Sequence, residues 1–303
     1  MSNLIPLFAN NILPIFITAG AGWLIGIVTH IEVKTVTRIA FYILSPALVF
    51  QLITNNHISG DEFARMSLLA IAVTALVGIV VWIVGKSIRL ERRILAALLL
   101  VSILPNAGNY GLSANLFAFG EEGLAHASIY FVTMATLTYS LGVLIASMGK
   151  KTLKEAALGL AKIPVLYALG AAYIFNMLDR SLPLPLARSV DLLSQAAIPT
   201  MLLLLGLQLQ RVVWNQNLLA LGLANVFRLL VSPLVALGLS PVIGLQGLPL
   251  QAGVLEAAMP SAVMTIILAT EFDVEPAFVT TAVTTTTLLS PFTLTPLLAF
   301  LGQ

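Results

Sequence analysis

The chain has 303 residues, of which 59% are hydrophobic and 9% charged, with a formal net charge of +2 and no cysteine. Soluble domains carry about 25% charged residues, and the mean hydropathy here is +1.00, so the composition excludes an ordinary soluble domain. The missing thiols exclude a disulfide framework, and basic residues scattered among short loops and span ends, with no basic patch, argue against a nucleic-acid surface.

A membrane span takes about 20 mostly apolar residues, which divides the chain into ten predicted helices. They run over 8–29, 36–54, 66–85, 94–118, 125–147, 161–178, 188–208, 217–240, 249–270 and 277–301. The N-terminal MSNLIPLFANNILPIFITAG lacks the basic start and small-residue cleavage site of a signal peptide and is read as the first span, retained. That span carries Gly22 and Gly26, a GxxxG pair that serves equally as a dimer face or as intrachain packing. The second span holds Pro46 and Gln51, and the seventh Pro199; these three are candidates for the scaffold side of a pocket.

No charge separates Arg93 from Glu121, yet the middle of this fourth span reads LPNAGNYG at 104–111. Pro105 removes a helix donor and clashes with the preceding turn, and Gly108 weakens the helix further. Residues 149–160 then form a cytosolic linker between two five-span units, 1–148 and 161–303.

In the second unit, Arg228 stands inside the eighth span, where a structural partner or snorkelling is the bland reading and anion attraction the functional one. The ninth span breaks at Met259-Pro260-Ser261, with Glu256 one turn earlier as the sole charge between Arg228 and Glu271. A carboxyl at that depth is by default a proton carrier or charge partner; the alternatives are a structural pair with Arg228 or a group reaching water. The tenth span holds Thr280, Thr281, Thr284, Thr285, Thr286 and Thr287, whose hydroxyls are expected to bond back to their own helix. His30, His57 and His126 fall at span ends with no second ligand at metal spacing, so no metal site and no cofactor is expected.

The two units echo each other. Pro14, Gly20 and Trp23 answer Pro164, Gly170 and Tyr173 at a shift of 150, and Pro46 answers Pro199 at 153. FVTMATLT from Phe131 answers FVTTAVTT from Phe278 at 147, and Leu104-Pro105-Asn106 answers Met259-Pro260-Ser261 at 155. An odd number of spans per unit makes this an inverted repeat, as in many secondary transporters. Basic residues set the orientation. Lys34, Arg38, Lys86, Arg89, Arg92, Arg93, Lys150, Lys151, Lys154, Lys162 and Arg211 flank one side and Arg65, Arg180 and Arg188 the other. This puts both termini outside the cell membrane.

Irregular backbone at membrane depth survives only when buried in protein or lining a wet cavity. Two such breaks at matching depth in inverted repeats point to a substrate site, with the fourth and ninth spans crossing at Pro105 and Pro260. Each break starts a new half-helix whose free N–H groups favour an anion by about 0.3–1 kcal/mol, up to about 2 when partly buried. Asn106, Asn109 and Ser261 are candidate donors, and Gly108 lets a ligand approach the backbone.

LPN followed by Gly111, and AAMPSAVMTIILATEFDVEPAFVTTAV from Ala257, resemble the auxin efflux carrier family of plant and bacterial carriers. The resemblance implies a ten-helix fold like that of sodium–proton antiporters and bile-acid symporters. It implies a scaffold of helices 1, 2, 6 and 7, commonly dimeric, beside a moving part of helices 3–5 and 8–10. The family asparagine that contacts the substrate carboxylate maps to Asn106. Plant carriers have a long loop after helix 5, whereas this chain has about a dozen residues there, as in bacterial members.

The leading expectation is therefore an elevator-type transporter of small organic anions such as malate, malonate or an indole acid, working in the lipid bilayer. A proton- or sodium-coupled symporter and a non-transporting sensor are the alternatives. An intramembrane enzyme is not expected, because neither HExxH nor GxSxG occurs.

Overall fold

The computed structural model describes residues 4–29, 31–56, 58–147, 163–210 and 217–302. The linker 149–160, His30, His57, Lys150, Lys151, Lys154, Lys162 and Arg211 lie outside the described residues. Among those described, every regular element is a helix.

Seven helices are long and apolar enough to cross a membrane: α1 (Leu4–Val28), α2 (Val33–Asn56), α3 (Gly60–Ser87), α5 (Ala107–Ala146), α7 (Leu184–Gln208), α8 (Leu218–Ile243) and α11 (Pro276–Phe300). Between them stand α4 (Arg92–Ile103), α6 (Pro164–Met177), α9 (Gly247–Ala257) and α10 (Met264–Glu271). The departures from the ten predicted spans have local causes. α6 has 14 residues, and the predicted fourth and ninth spans are interrupted at 104–106 and 258–263. Conversely, α5 is two helices meeting at a kink at Gly120, whose φ of 68° and ψ of −163° belong to a region open essentially to glycine alone.

Local chemistry sets the helix ends. Ser59 and Glu62 form a reciprocal capping box at the start of α3, with Asp61 and Glu62 in its first turn and Lys86 in its last. Pro164 and Pro276 occupy first positions, where the missing N–H is harmless. α3 turns Leu68, Ile71, Ile79, Trp82 and Ile83 outward, as a helix facing lipid tails does.

α1 lies along α7 with no room between the backbones. A Cβ on Gly22 would stand 2.1 Å from the Leu203 carbonyl oxygen, and one on Gly206 would stand 1.7 Å from that of Ala19. On Gly26 it would collide with the Gln210 amide and Leu207. The GxxxG pair is thus consumed inside the chain. The core runs between these helices and α5, and includes Leu98, Leu104, Tyr110, Tyr130 and Phe278.

Candidate functional site

Two broken helices build the site. Residue Leu104, preceding a proline, is driven to extended backbone (φ −103°, ψ 98°), and Asn106 follows at φ −77°, ψ 60°. The stretch 258–263 is its partner, and Pro105 and Ser261 pair as an antiparallel bridge. The Asn106 N–H donates to the Pro260 carbonyl at 2.7 Å, and the Ala262 N–H to the Leu104 carbonyl at 2.9 Å. Each break satisfies backbone groups that the other leaves free, which is how irregular backbone persists here.

Side chains take up further orphan groups. Ser261 Oγ donates to the Val101 carbonyl at 2.7 Å, and the Ser261 N–H donates to Thr286 Oγ1 at 3.2 Å. Arg228 donates to the carbonyls of Ser102 (2.9 Å) and Ala257 and to Ser232 Oγ (2.6 Å). The hydroxyls of Thr280, Thr281, Thr284, Thr285, Thr286 and Thr287 all donate to carbonyls of their own helix.

Beyond the bridge, α10 and the π-helical first segment of α5, Ala107–Leu112, both begin at one cavity of about 120 Å³. Asn106, Gly108, Asn109, Val263 and Met264 line it. The Asn106 side chain is 5% exposed and its Nδ2 has no hydrogen-bond partner. Asn109 Nδ2 donates to Gln208 Oε1 at 3.4 Å. Phe131 forms the wall beside Gly108, where a Cβ would come within 2.9 Å of its ring. Among the described residues no charged side chain lines this space. Two further π-helical turns contribute to it: Ala40–Leu44 through Phe41, and Thr138–Gly142 through Thr138 and Tyr139. Such turns reset side-chain register and are frequent at functional sites.

Several predicted residues lie elsewhere. Ser261 and Pro260 are buried in the bridge and are absent from the cavity lining. Pro46, Gln51 and Pro199 do not reach it either. Ser45 takes the place of Pro46, and Met201 and Leu204 that of Pro199, because one residue turns a helix face by roughly 100°. Gln51 instead donates to Asp191 Oδ1 at 2.8 Å, and with Pro199 lines a separate cavity of about 580 Å³.

Glu256 is fully buried on the far side of the break. Its Oε1 accepts from Asn115 Nδ2 at 3.1 Å, and its Oε2 has no partner. Gly111 gives it room, since a Cβ there would lie 2.3 Å from Oε2. No ion pair joins Glu256 to Arg228 among the described residues. Asn115, Gln208 and Phe131 were not singled out from the sequence. Asn115 had a signal in its place one turn after Gly111, and Phe131 in opening a repeated segment, while Gln208 had none.

Comparison with known proteins supplies context for this geometry. A family model described as membrane transport protein matches residues 7–163 and 148–298. An uncharacterized transporter of Methanocaldococcus jannaschii is 32% identical over 276 residues, 88% of each chain. A Rhizobium meliloti protein named "Putative malonate transporter" is 26% identical over 266 residues, 85% of this chain and 83% of that one. Auxin efflux carrier component 1 of Arabidopsis thaliana is 31% identical over 107 residues, 34% of this chain and 17% of the plant protein.

Proposed function

Because the chain belongs to the membrane transport protein family of the auxin efflux carriers, we propose that it moves small organic anions, holding the substrate carboxylate at Asn106. One observation carries this reading. Asn106, whose Nδ2 has no hydrogen-bond partner, lines an uncharged cavity at which two helices begin. Two helix starts attract a carboxylate, and a neutral amide orients it without the desolvation penalty of a buried cation. Capture of this kind is reversible, as transport requires.

Size narrows the substrate. About 120 Å³ is well below the roughly 300–1,000 Å³ of pockets for drug-sized ligands, which favours a short carboxylate over an indole acid. The relative named for malonate supports the same choice.

The reading takes ten spans in two inverted sets of five, counting α6 and the paired segments around each break as spans. Gly120 then divides α5 between the fourth and fifth. In this arrangement α1, α2, α6 and α7 are the scaffold, and the remainder carries the crossed breaks past it in an elevator motion. With both termini outside, the cavity opens inward, toward the ends of its lining helices near Thr37, Gln208 and Ile267. A homodimer, implied by resemblance, has to use faces other than Gly22 and Gly26, which α7 occupies.

Glu256 favours a second reading, coupling to a proton or sodium ion, because a buried carboxyl with one free oxygen lies beside the break. Flux of labelled malonate and longer carboxylates into proteoliposomes, with membrane potential, pH and sodium gradients imposed separately, tests both readings. Saturable flux following potential alone supports the uncoupled carrier. A required ion gradient selects the coupled one, and no flux with any anion contradicts transport.

A further inference from the structure

Arg228 is among the largest fully buried side chains, 1% exposed, and no carboxylate pairs with it among the described residues. Its partners are two carbonyls and one hydroxyl. Nη1 donates to the Ser102 carbonyl at 2.9 Å, and Nη2 to Ser232 Oγ at 2.6 Å and to the Ala257 carbonyl. Ser232 Oγ in turn donates to the same Ala257 carbonyl at 2.9 Å. Arg228 and Ser232 are four residues apart, across a π-helical turn, Phe227–Val231, that aims both at one place.

Those carbonyls have a special position. Ser102 lies in the last turn of α4 and Ala257 is the final residue of α9. Both are helix C-terminal ends, where orphan carbonyls gather partial negative charge. One planar guanidinium therefore spans the negative ends of both broken helices, while the positive starts of the following helices face the Asn106 cavity. The break is polarised: a resident cation on one side, room for an anion on the other. Two residues follow Ser102 before the bridge, and three follow Ala257, so the guanidinium sets where the bridge begins.

We propose that Arg228 is the positioning residue of the carboxylate site: by clamping the carbonyl ends of α4 and α9 to one guanidinium, it holds Asn106 in register with the two helix starts. The inference rests on the anion-carrier reading above. A lysine keeps the charge but offers a point donor in place of a fork, so it serves one carbonyl and releases the other. Clipping by a cation for fold stability alone would affect melting and leave affinity untouched.

The test measures malonate flux in proteoliposomes for wild type, Arg228→Lys, Ser232→Ala, Asn106→Ala and the Arg228→Lys/Asn106→Ala double variant. Hydrogen–deuterium exchange of the Asn106 and Ala262 amides is followed in the same proteins. Arg228→Lys is expected to raise KM about tenfold, the loss of one charge-assisted hydrogen bond, with maximal rate nearly kept. Ser232→Ala should do the same more weakly. Faster exchange should be confined to Asn106 and Ala262, leaving the amides of α3 unchanged. The double variant should be no worse than Asn106→Ala, because both changes act on one contact. Wild-type KM in Arg228→Lys, additive losses in the double variant, or unchanged exchange at both amides overturns the inference while the carrier reading stands. Absence of wild-type flux with every carboxylate overturns the carrier reading, and this role with it.

Discussion

The main-chain N–H of Asn106 donates to the carbonyl of Pro260 across 2.7 Å, joining the break in one half of the chain to the break in the other. The residue's backbone therefore holds the two segments together, while its side-chain Nδ2 has no hydrogen-bond partner. That division of labour leads to separable consequences on mutation.

Truncating the amide spares the backbone bond. Asn106→Ala should keep the melting temperature close to wild type and weaken carboxylate affinity by about 10- to 100-fold, the loss of a hydrogen bond of roughly 1.5–3 kcal/mol to a charged group. Thermal unfolding in detergent, with and without malonate, measures both. Malonate should stabilise wild type and not the variant.

The wall beside Gly108 should set substrate length. Gly108→Ala drives its new Cβ against the Phe131 ring, 2.9 Å away, and pushes that ring into the cavity. Flux competition by dicarboxylates of increasing length should then shift toward the shorter acids. Phe131→Ala should shift it toward longer ones. Identical preference in both variants would place the substrate elsewhere.

Glu256→Gln keeps the shape and the contact with Asn115 while removing the ability to ionise. If the buried carboxyl couples transport, accumulation driven by a pH gradient is lost and exchange of labelled for unlabelled anion persists. An unchanged response to the gradient rules out that role.

Close packing of α1 on α7 should show in stability. Gly206→Ala places a Cβ 1.7 Å from the Ala19 carbonyl oxygen, so the helices must separate. Overpacking of this kind costs about 1–3 kcal/mol, visible as a lower melting temperature. A change in oligomeric state with unaltered melting would mean that this face packs between chains.

The breaks themselves were legible in the sequence, because a proline in mid-span has few explanations. The bridge pairs Pro105 with Ser261, and the Asn106 N–H reaches the Pro260 carbonyl. The fates of individual side chains were less legible. Ser261 was expected at the ligand, yet its hydroxyl serves the Val101 carbonyl, a partner that appears only once the helix ahead of the first break has an end to be capped. Pro46 and Pro199 miss the cavity by one or two residues of helical rotation, and the π-helical turn at Ala40–Leu44 shifts that register just before Pro46. Nothing in the order of residues said that Arg228 would meet Ser102 and Ala257, since those contacts exist only after the two breaks have paired.

The measurement that bears most directly on the central claim is malonate uptake by proteoliposomes holding wild type or Asn106→Ala, side by side at equal protein orientation and amount. Saturable uptake by wild type, with the variant's KM raised at least tenfold, is the predicted result. Equal KM in the two proteins would show that the carboxylate is held away from Asn106 and would contradict the site.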